Sequence, residues 1–280
     1  MNYTAGIDVG STYTKAVVLG EDNTTVGRGL IKTGFKLGEA ASRALDAALA
    51  EAQLQQADLA YIASTGYGRF QVPFRDVNVT DITASARGAS FLFPGTRTIL
   101  DVGGQTMKAS RLDDHGKVRS FRLNDKCAAG TGAFLEKTAR YLGFATEEIG
   151  PLAATSKEIV AISGVCAVFA ESEVINHLSQ GASPADIMHG AIASLVDRSV
   201  QLMKRVQMEP EFTLVGGILR FETMARVVRE KLGVGVNVPE GDRVQYTAAL
   251  GAALLARHRL RKLNEEGVEI ETRGVMPAIA

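Results

Sequence analysis

Two acidic residues, each ending an apolar strand and each followed by glycine, carry the chemistry this sequence offers. Ile7-Asp8-Val9-Gly10-Ser11-Thr12-Tyr13-Thr14-Lys15-Ala16 stands near the N-terminus, and Leu100-Asp101-Val102-Gly103-Gly104-Gln105-Thr106-Met107-Lys108-Ala109 stands further on. Asp8 aligns with Asp101, Gly10 with Gly103 and Lys15 with Lys108, at a constant offset of 93 positions (101 minus 8). A carboxylate at a strand end holds a hydrated divalent cation or orients a water. Glycine lets backbone N–H groups come close to an anion. Two such turns acting together would clamp a metal-bound polyphosphate. A plain hairpin with glycine in its turn fits either copy alone; the matching register of both argues for function.

The elements that must position these turns are a duplicated strand meander. Residues 3–33 read as three strands. The second copy begins at 98 and turns at 113–116, where the first turns at 20–23. Periodicity predicts a helix over 37–53, a strand over 59–63 and a helix over 80–91. Ser64-Thr65-Gly66-Tyr67-Gly68-Arg69 lies between the last two, as a loop over a ligand or an ordinary turn. Pro94-Gly95 punctuates the chain. Beyond the second meander come a small-residue loop at 124–132, a helix over 133–142, a strand over 158–162, and helices over 168–178 and 185–206. A buried strand over 212–215 ends in Gly216-Gly217, a place for close backbone approach or for a tight turn. A helix over 222–232, a strand over 234–238 and a helix over 246–263 finish the chain. This order predicts two α/β domains around a cleft: residues 1–95 with the C-terminal stretch 246–280, and residues 96–245.

Apolar residues make up 46% of the 280, enough for a substantial core, and 31 basic residues balance 31 acidic ones. That balance favours neither nucleic acid nor an acidic membrane face as a partner. No apolar run is long enough to span a bilayer, and the N-terminus reads directly into a strand rather than as a signal peptide. The cysteines are Cys127 and Cys166, which suits a cytoplasmic, reducing setting.

The motifs together resemble a family. Asp8-Val-Gly-Ser-Thr, Asp101-Val-Gly-Gly-Gln and Leu214-Val-Gly-Gly are similar to the phosphate-1, phosphate-2 and adenosine motifs of the acetate kinase, sugar kinase, chaperone and actin ATPase superfamily. Three longer stretches are more specific: Ser64-Thr-Gly-Tyr-Gly-Arg, Asn124-Asp-Lys-Cys-Ala-Ala-Gly-Thr-Gly and Cys166-Ala-Val-Phe-Ala-Glu-Ser-Glu-Val. They resemble the activator ATPases of 2-hydroxyacyl-CoA dehydratases and the ATP-binding subunits of benzoyl-CoA reductase. The resemblance runs from about Gly6 to Leu254. It departs at 216–220, where Gly-Gly-Ile-Leu-Arg stands and the family more often has Gly-Gly-Val-Ala.

The resemblance implies two duplicated ribonuclease-H-like (actin-like ATPase) domains around a nucleotide cleft. It implies ATP/ADP and Mg²⁺ as cofactors, with Asp8, Asp101 and Gln105 catalytic. Gly10, Ser11, Thr12, Gly103 and Gly104 would cradle phosphate. Lys15 and Lys108 would neutralise phosphate charge or point outward along their strands. Gly216, Gly217 and Ile218 would lie by adenosine, and Gly130, Thr131, Gly132 and Glu136 would also reach the nucleotide. It further implies a homodimer or like-paired heterodimer holding one 4Fe–4S cluster. Reduced ferredoxin or flavodoxin would be the donor, and an iron–sulfur acyl-CoA reductase or dehydratase the acceptor. A 4Fe–4S cluster usually takes four thiolates; one chain has two, and a twofold axis would make four from Cys127 and Cys166. The amides opening the helix after Cys127 would favour the negative cluster. Two buried free thiols are the plain alternative. A small-molecule kinase of the same superfamily and a non-enzymatic nucleotide-dependent regulator are the rival functions.

Overall fold

The computed structural model describes residues 2–124, 130–162 and 167–268, with backbone alone for 167–171. Its residues group into two compact units: Met1–Pro94 with Tyr246–Ala280, and Gly95–Gln245.

The first unit is built on a five-stranded sheet in the order β3-β2-β1-β4-β5. These strands are β1 (Tyr3–Val9), β2 (Tyr13–Leu19), β3 (Thr25–Lys32), β4 (Leu59–Thr65) and β5 (Val77–Asn78). Alternate residues of β1 and β2 serve opposite faces, as the period of a strand requires. Ala5, Ile7, Val9, Ala16 and Val18 pack on helix α1 (Leu37–Ala52), through Ala41, Ala44, Leu45 and Ala48. On the other face, Val17 and Leu19 meet Ala249, Leu250 and Ala253 of helix α8 (Arg243–Glu265). Tyr61 and Ala63 of β4 meet Ala84 of helix α2 (Asp81–Leu92) and Ala252 and Ala256 of α8. The run of small residues in α8 has a physical reason. A Cβ at Gly6 of β1 would collide with the α8 backbone at Ala249 and Ala253, so strand and helix touch main chain to main chain.

The second unit repeats the sheet as β10-β9-β6-β7-β8. Here the strands are β6 (Thr98–Val102), β7 (Met107–Leu112), β8 (Val118–Asn124), β9 (Phe212–Val215) and β10 (Val236–Asn237). The two meanders agree bond for bond. Asp8 pairs Lys15 and Asp101 pairs Lys108 across antiparallel strands. The register slips at Val18/Leu19 in one copy and at Arg111/Leu112 in the other. The next turn closes with Asn23 N–H to Gly20 O in the first and Gly116 N–H to Asp113 O in the second (3.0 Å each). Asn23 and Gly116 both take positive φ, 65° and 73°.

Between β8 and β9 lie α3 (Gly132–Tyr141), α4 (Ile149–Ala154), α5 (Ala167–Ser179) and α6 (Pro184–Arg205); α7 (Glu222–Leu232) joins β9 to β10. Ser183 caps α6, its hydroxyl accepting from Asp186 N–H (3.1 Å), with Pro184 in the first turn. That is a favoured helix start. Leu100, Val102, Met107, Leu135, Ile187, Leu195 and Leu214 sit in one large cluster.

The strand expected over 158–162 is absent. Its first backbone donor, and the one just before it, are taken by a side chain instead. Asp186 Oδ1 accepts from Lys157 N–H (2.8 Å) and Glu158 N–H (2.9 Å), and Ser156 Oγ lies 2.9 Å from the same oxygen. A Cβ at Gly190 would meet the Val160 carbonyl, so the segment lies flat on α6. Among the described residues, no helix is long and apolar enough to cross a membrane.

Candidate functional site

Each acid sits at the carboxyl end of its strand, where ligands bind in open α/β sheets. Lys15 Nζ reaches Asp8 Oδ2 at 3.1 Å, and Lys108 Nζ reaches Asp101 Oδ2 at 3.7 Å. The side chains of both pairs are mostly buried, 12–15% exposed. Each lysine therefore turns back on its own acid rather than outward along its strand.

A glycine closes the other side of each acid; in the first unit it falls in the stretch the sequence leaves between a ligand loop and an ordinary turn. β4 runs parallel to β1 with Thr65 opposite Asp8, and β9 runs parallel to β6 with Val215 opposite Asp101. The next residues, Gly66 and Gly216, have φ of 86° and 102°. A Cβ on Gly66 would strike Asp8 Oδ1 and the Val9 carbonyl; one on Gly216 would strike Asp101 Oδ1 and the Val102 carbonyl. Gly66 and Gly216 are therefore the same device, a side-chain-free left-handed residue pressed against the acid. Composition does not reveal this. The signal is strand order, which places β4 beside β1 and β9 beside β6.

The turns between acid and lysine are closed alike and braced differently. Gly10 N–H donates to Tyr13 O (3.2 Å) and Gly103 N–H to Thr106 O (2.8 Å). Ser11 and Thr12 form the tip of one, Gly104 and Gln105 the tip of the other, with Ser11 and Gln105 exposed. The first turn is braced by Thr33, whose hydroxyl donates to Gly10 O (2.8 Å) and whose N–H donates to Thr12 O (3.0 Å). The second is braced by α3: Gly132 N–H donates to Gly103 O (3.0 Å) and Ala133 N–H to Gly104 O (2.7 Å).

The amide of Gly103, like that of Gly10, closes its own turn, and the first two amides of α3 donate to the carbonyls of the glycine turn. α3 thereby joins Gly132 to the acid turn, and a Cβ on Gly132 would meet Ile218 and the Gly103 carbonyl. The second unit thus brings Asp101, Gly103, Gly104, Gly132, Gly216 and Ile218 together. Gly217 opens a 3₁₀ turn, Gly217–Arg220. Thr131, at the cap of α3, is wholly buried, and a Cβ at Gly130 would run into the Asn124 amide. Glu136 lies one turn along α3. Burial pushes its carboxyl pKa up, against the opposing charges of Arg220 and Arg140. Cys127 and Cys166 lie outside the described residues. Among those that are described, no group of three His, Cys, Asp or Glu is gathered for a metal ion.

These parts define an α/β protein with two acid–lysine–glycine centres on duplicated sheets. The fold recurs at low identity in a sugar-phosphorylating enzyme, a ROK family glucokinase from Streptomyces griseus (TM-score 0.56, 14% identity, 92% of this chain and all of that one). Residues 5–256 match the BadF/BadG/BcrA/BcrD ATPase family, and the chain belongs to it. It is 38% identical over 269 residues to the 2-hydroxyisocaproyl-CoA dehydratase activator of Clostridioides difficile, covering 94% of this chain and 98% of that one. A benzoyl-CoA reductase subunit from Thauera aromatica is 35% identical over 284 residues, covering 95% and 97%. The crystal structure of component A of the Acidaminococcus fermentans (R)-2-hydroxyglutaryl-CoA dehydratase matches with a TM-score of 0.89 at 36% identity, over 93% of this chain and all of that one.

Proposed function

We propose that this chain binds Mg²⁺ and ATP, hydrolyses the nucleotide, and couples hydrolysis to delivery of one low-potential electron to an acyl-CoA reductase or dehydratase partner. The observation that carries the reading is kinship along nearly the whole chain with proteins named as dehydratase activators and as part of a benzoyl-CoA reductase. A relative's structure is described with bound ADPNP, an analogue that presents a triphosphate chain.

In this reading Asp8 and Asp101 supply the hard oxygen donors that hydrated Mg²⁺ takes. Lys15 and Lys108 hold the two carboxylates in place through their ion pairs, and the tips Ser11-Thr12 and Gly104-Gln105 face the phosphates. Gln105 orients the attacking water, and Gly216, Gly217 and Ile218 take the adenosine side. Gly130, Thr131, Gly132 and Glu136 complete the nucleotide contacts. Cys127 and Cys166 supply two thiolates per chain, so a 4Fe–4S cluster needs two chains. Such a cluster supplies one-electron chemistry at low potential, with reduced ferredoxin or flavodoxin as the donor.

Iron and sulfide per chain, measured with solution mass under nitrogen, test the reading. The expected parent is a dimer with about four irons per pair of chains. Cys166→Ser is expected to lose the whole cluster and weaken the dimer, because binding energy confined to the paired state is linked to association. About four irons per monomer, or a variant that keeps both cluster and dimer, overturns it.

A further inference from the structure

We infer that Thr65 is a ligand-binding residue of the Asp8 centre, its hydroxyl serving an oxygen of the bound Mg²⁺–nucleotide or its water shell. The inference rests on the nucleotide reading given above. Thr65 is the last residue of β4 and stands opposite Asp8 in the parallel pairing. Paired residues of neighbouring strands present their side chains to the same face, so Asp8, its partner Lys15 and Thr65 lie on one face at the strand ends. Thr65 is wholly buried, yet its Oγ1 has no hydrogen-bond partner.

An orphaned buried hydroxyl is costly, and native proteins rarely keep one without a use. The second unit shows what packing alone demands at this position. There Val215, nearly isosteric with threonine, stands opposite Asp101 and is 1% exposed. Valine satisfies the fold without the penalty. The first unit retains a donor proton and two lone pairs where valine would serve, beside a carboxylate and an ammonium. The group that uses them is an oxygen ligand: a phosphoryl oxygen or a water held by the cation.

Calorimetry with ADP, with and without Mg²⁺, on the parent, Thr65→Val and Thr65→Ser provides the test, together with thermal melting of the nucleotide-free proteins. Thr65→Val is expected to weaken Mg²⁺–ADP binding about fivefold, the worth of one hydrogen bond, and Thr65→Ser to recover most of it. Free of nucleotide, Thr65→Val is expected to melt about 2–4 °C higher, because a desolvated hydroxyl has been removed. A purely structural hydroxyl would give the opposite melting shift and leave affinity unchanged; that result overturns the inference alone. A parent that binds no Mg²⁺–nucleotide overturns the nucleotide reading and the inference with it.

Discussion

The two units share a sheet and differ in what is hung on it. In the first, β3 leads through one alanine-rich helix, α1, to β4. In the second, the same connection from β8 to β9 holds α3, α4, α5 and α6, along with both cysteines. The core follows suit: alanines against the first sheet, and Met, Ile, Leu and Phe around the second. Yet the acid, the lysine opposite it and the left-handed glycine beside it are the same in both. The difference teaches that the acid–lysine–glycine centre is the fixed part of the design. The difference between the two units is concentrated in the connection from β8 to β9.

The glycines give the largest expected break in that symmetry. Gly66→Ala and Gly216→Ala should each destabilise by about 3 kcal/mol or more, since an L-residue there is strained and also meets a carboxylate and a carbonyl. Chemical denaturation of the two variants checks it. Similar losses confirm that the glycines are equivalent, and a loss at one alone would dissolve the comparison.

Next come the acids. Asp101→Asn should lower ATP hydrolysis on the order of 10²-fold or more while the fold and iron content persist, and Asp8→Asn should fall by the same order. Turnover of each variant against circular dichroism separates chemistry from folding. Near-normal turnover for Asp101→Asn would remove it from the mechanism.

How much of this was legible beforehand follows a physical line. The meanders and the paired acids were readable because period-two alternation and glycine turns are local. The direction of Lys15 and Lys108 was not, because a strand side chain finds its partner across the ladder. For Gly66 the sequence leaves a ligand loop and an ordinary turn both open, because the strand that gives it meaning, β1, is far away in sequence. The misread strand at 158–162 had the same cause. Its first N–H, at Glu158, is claimed by Asp186, which no pattern within the segment reveals.

That acid provides a sharper, smaller test confined to the second unit. Hydrogen bonds from Ser183, Glu158 and Lys157 hold the Asp186 carboxyl well below the usual carboxylate range. A depressed native pKa contributes stability that is present above the ordinary value of 3.8 and is lost as pH falls through the native one. Asp186→Ala should therefore lower the melting temperature at neutral pH and flatten its decline on the acid side. Melting curves from neutral to strongly acidic pH decide it, with an unchanged acid limb as the contrary result.

The smallest effect concerns Glu136, for which the sign reverses. Burial raises its pKa, so the native state binds the proton more tightly than the unfolded chain, and stability falls as pH climbs from the ordinary value of 4.5 through the native one. Glu136→Gln should lack that slope and be slightly more stable than the parent above the window. A pH series of denaturation midpoints that runs parallel for both proteins would contradict it.

The shared register slip, at Val18/Leu19 and again at Arg111/Leu112, carries a message of a different kind. It lies at the far end of β2 and β7 from the acid turns, where selection for ligand binding gives no reason to keep it. The turns beyond it have kept the same left-handed position while changing residue, asparagine in one copy and glycine in the other. Two lineages converging on one chemistry would have no cause to agree on such a detail. The irregularity is best understood as the mark of a copied sheet, already bulged, whose two copies now differ in the connection that bears the cysteines.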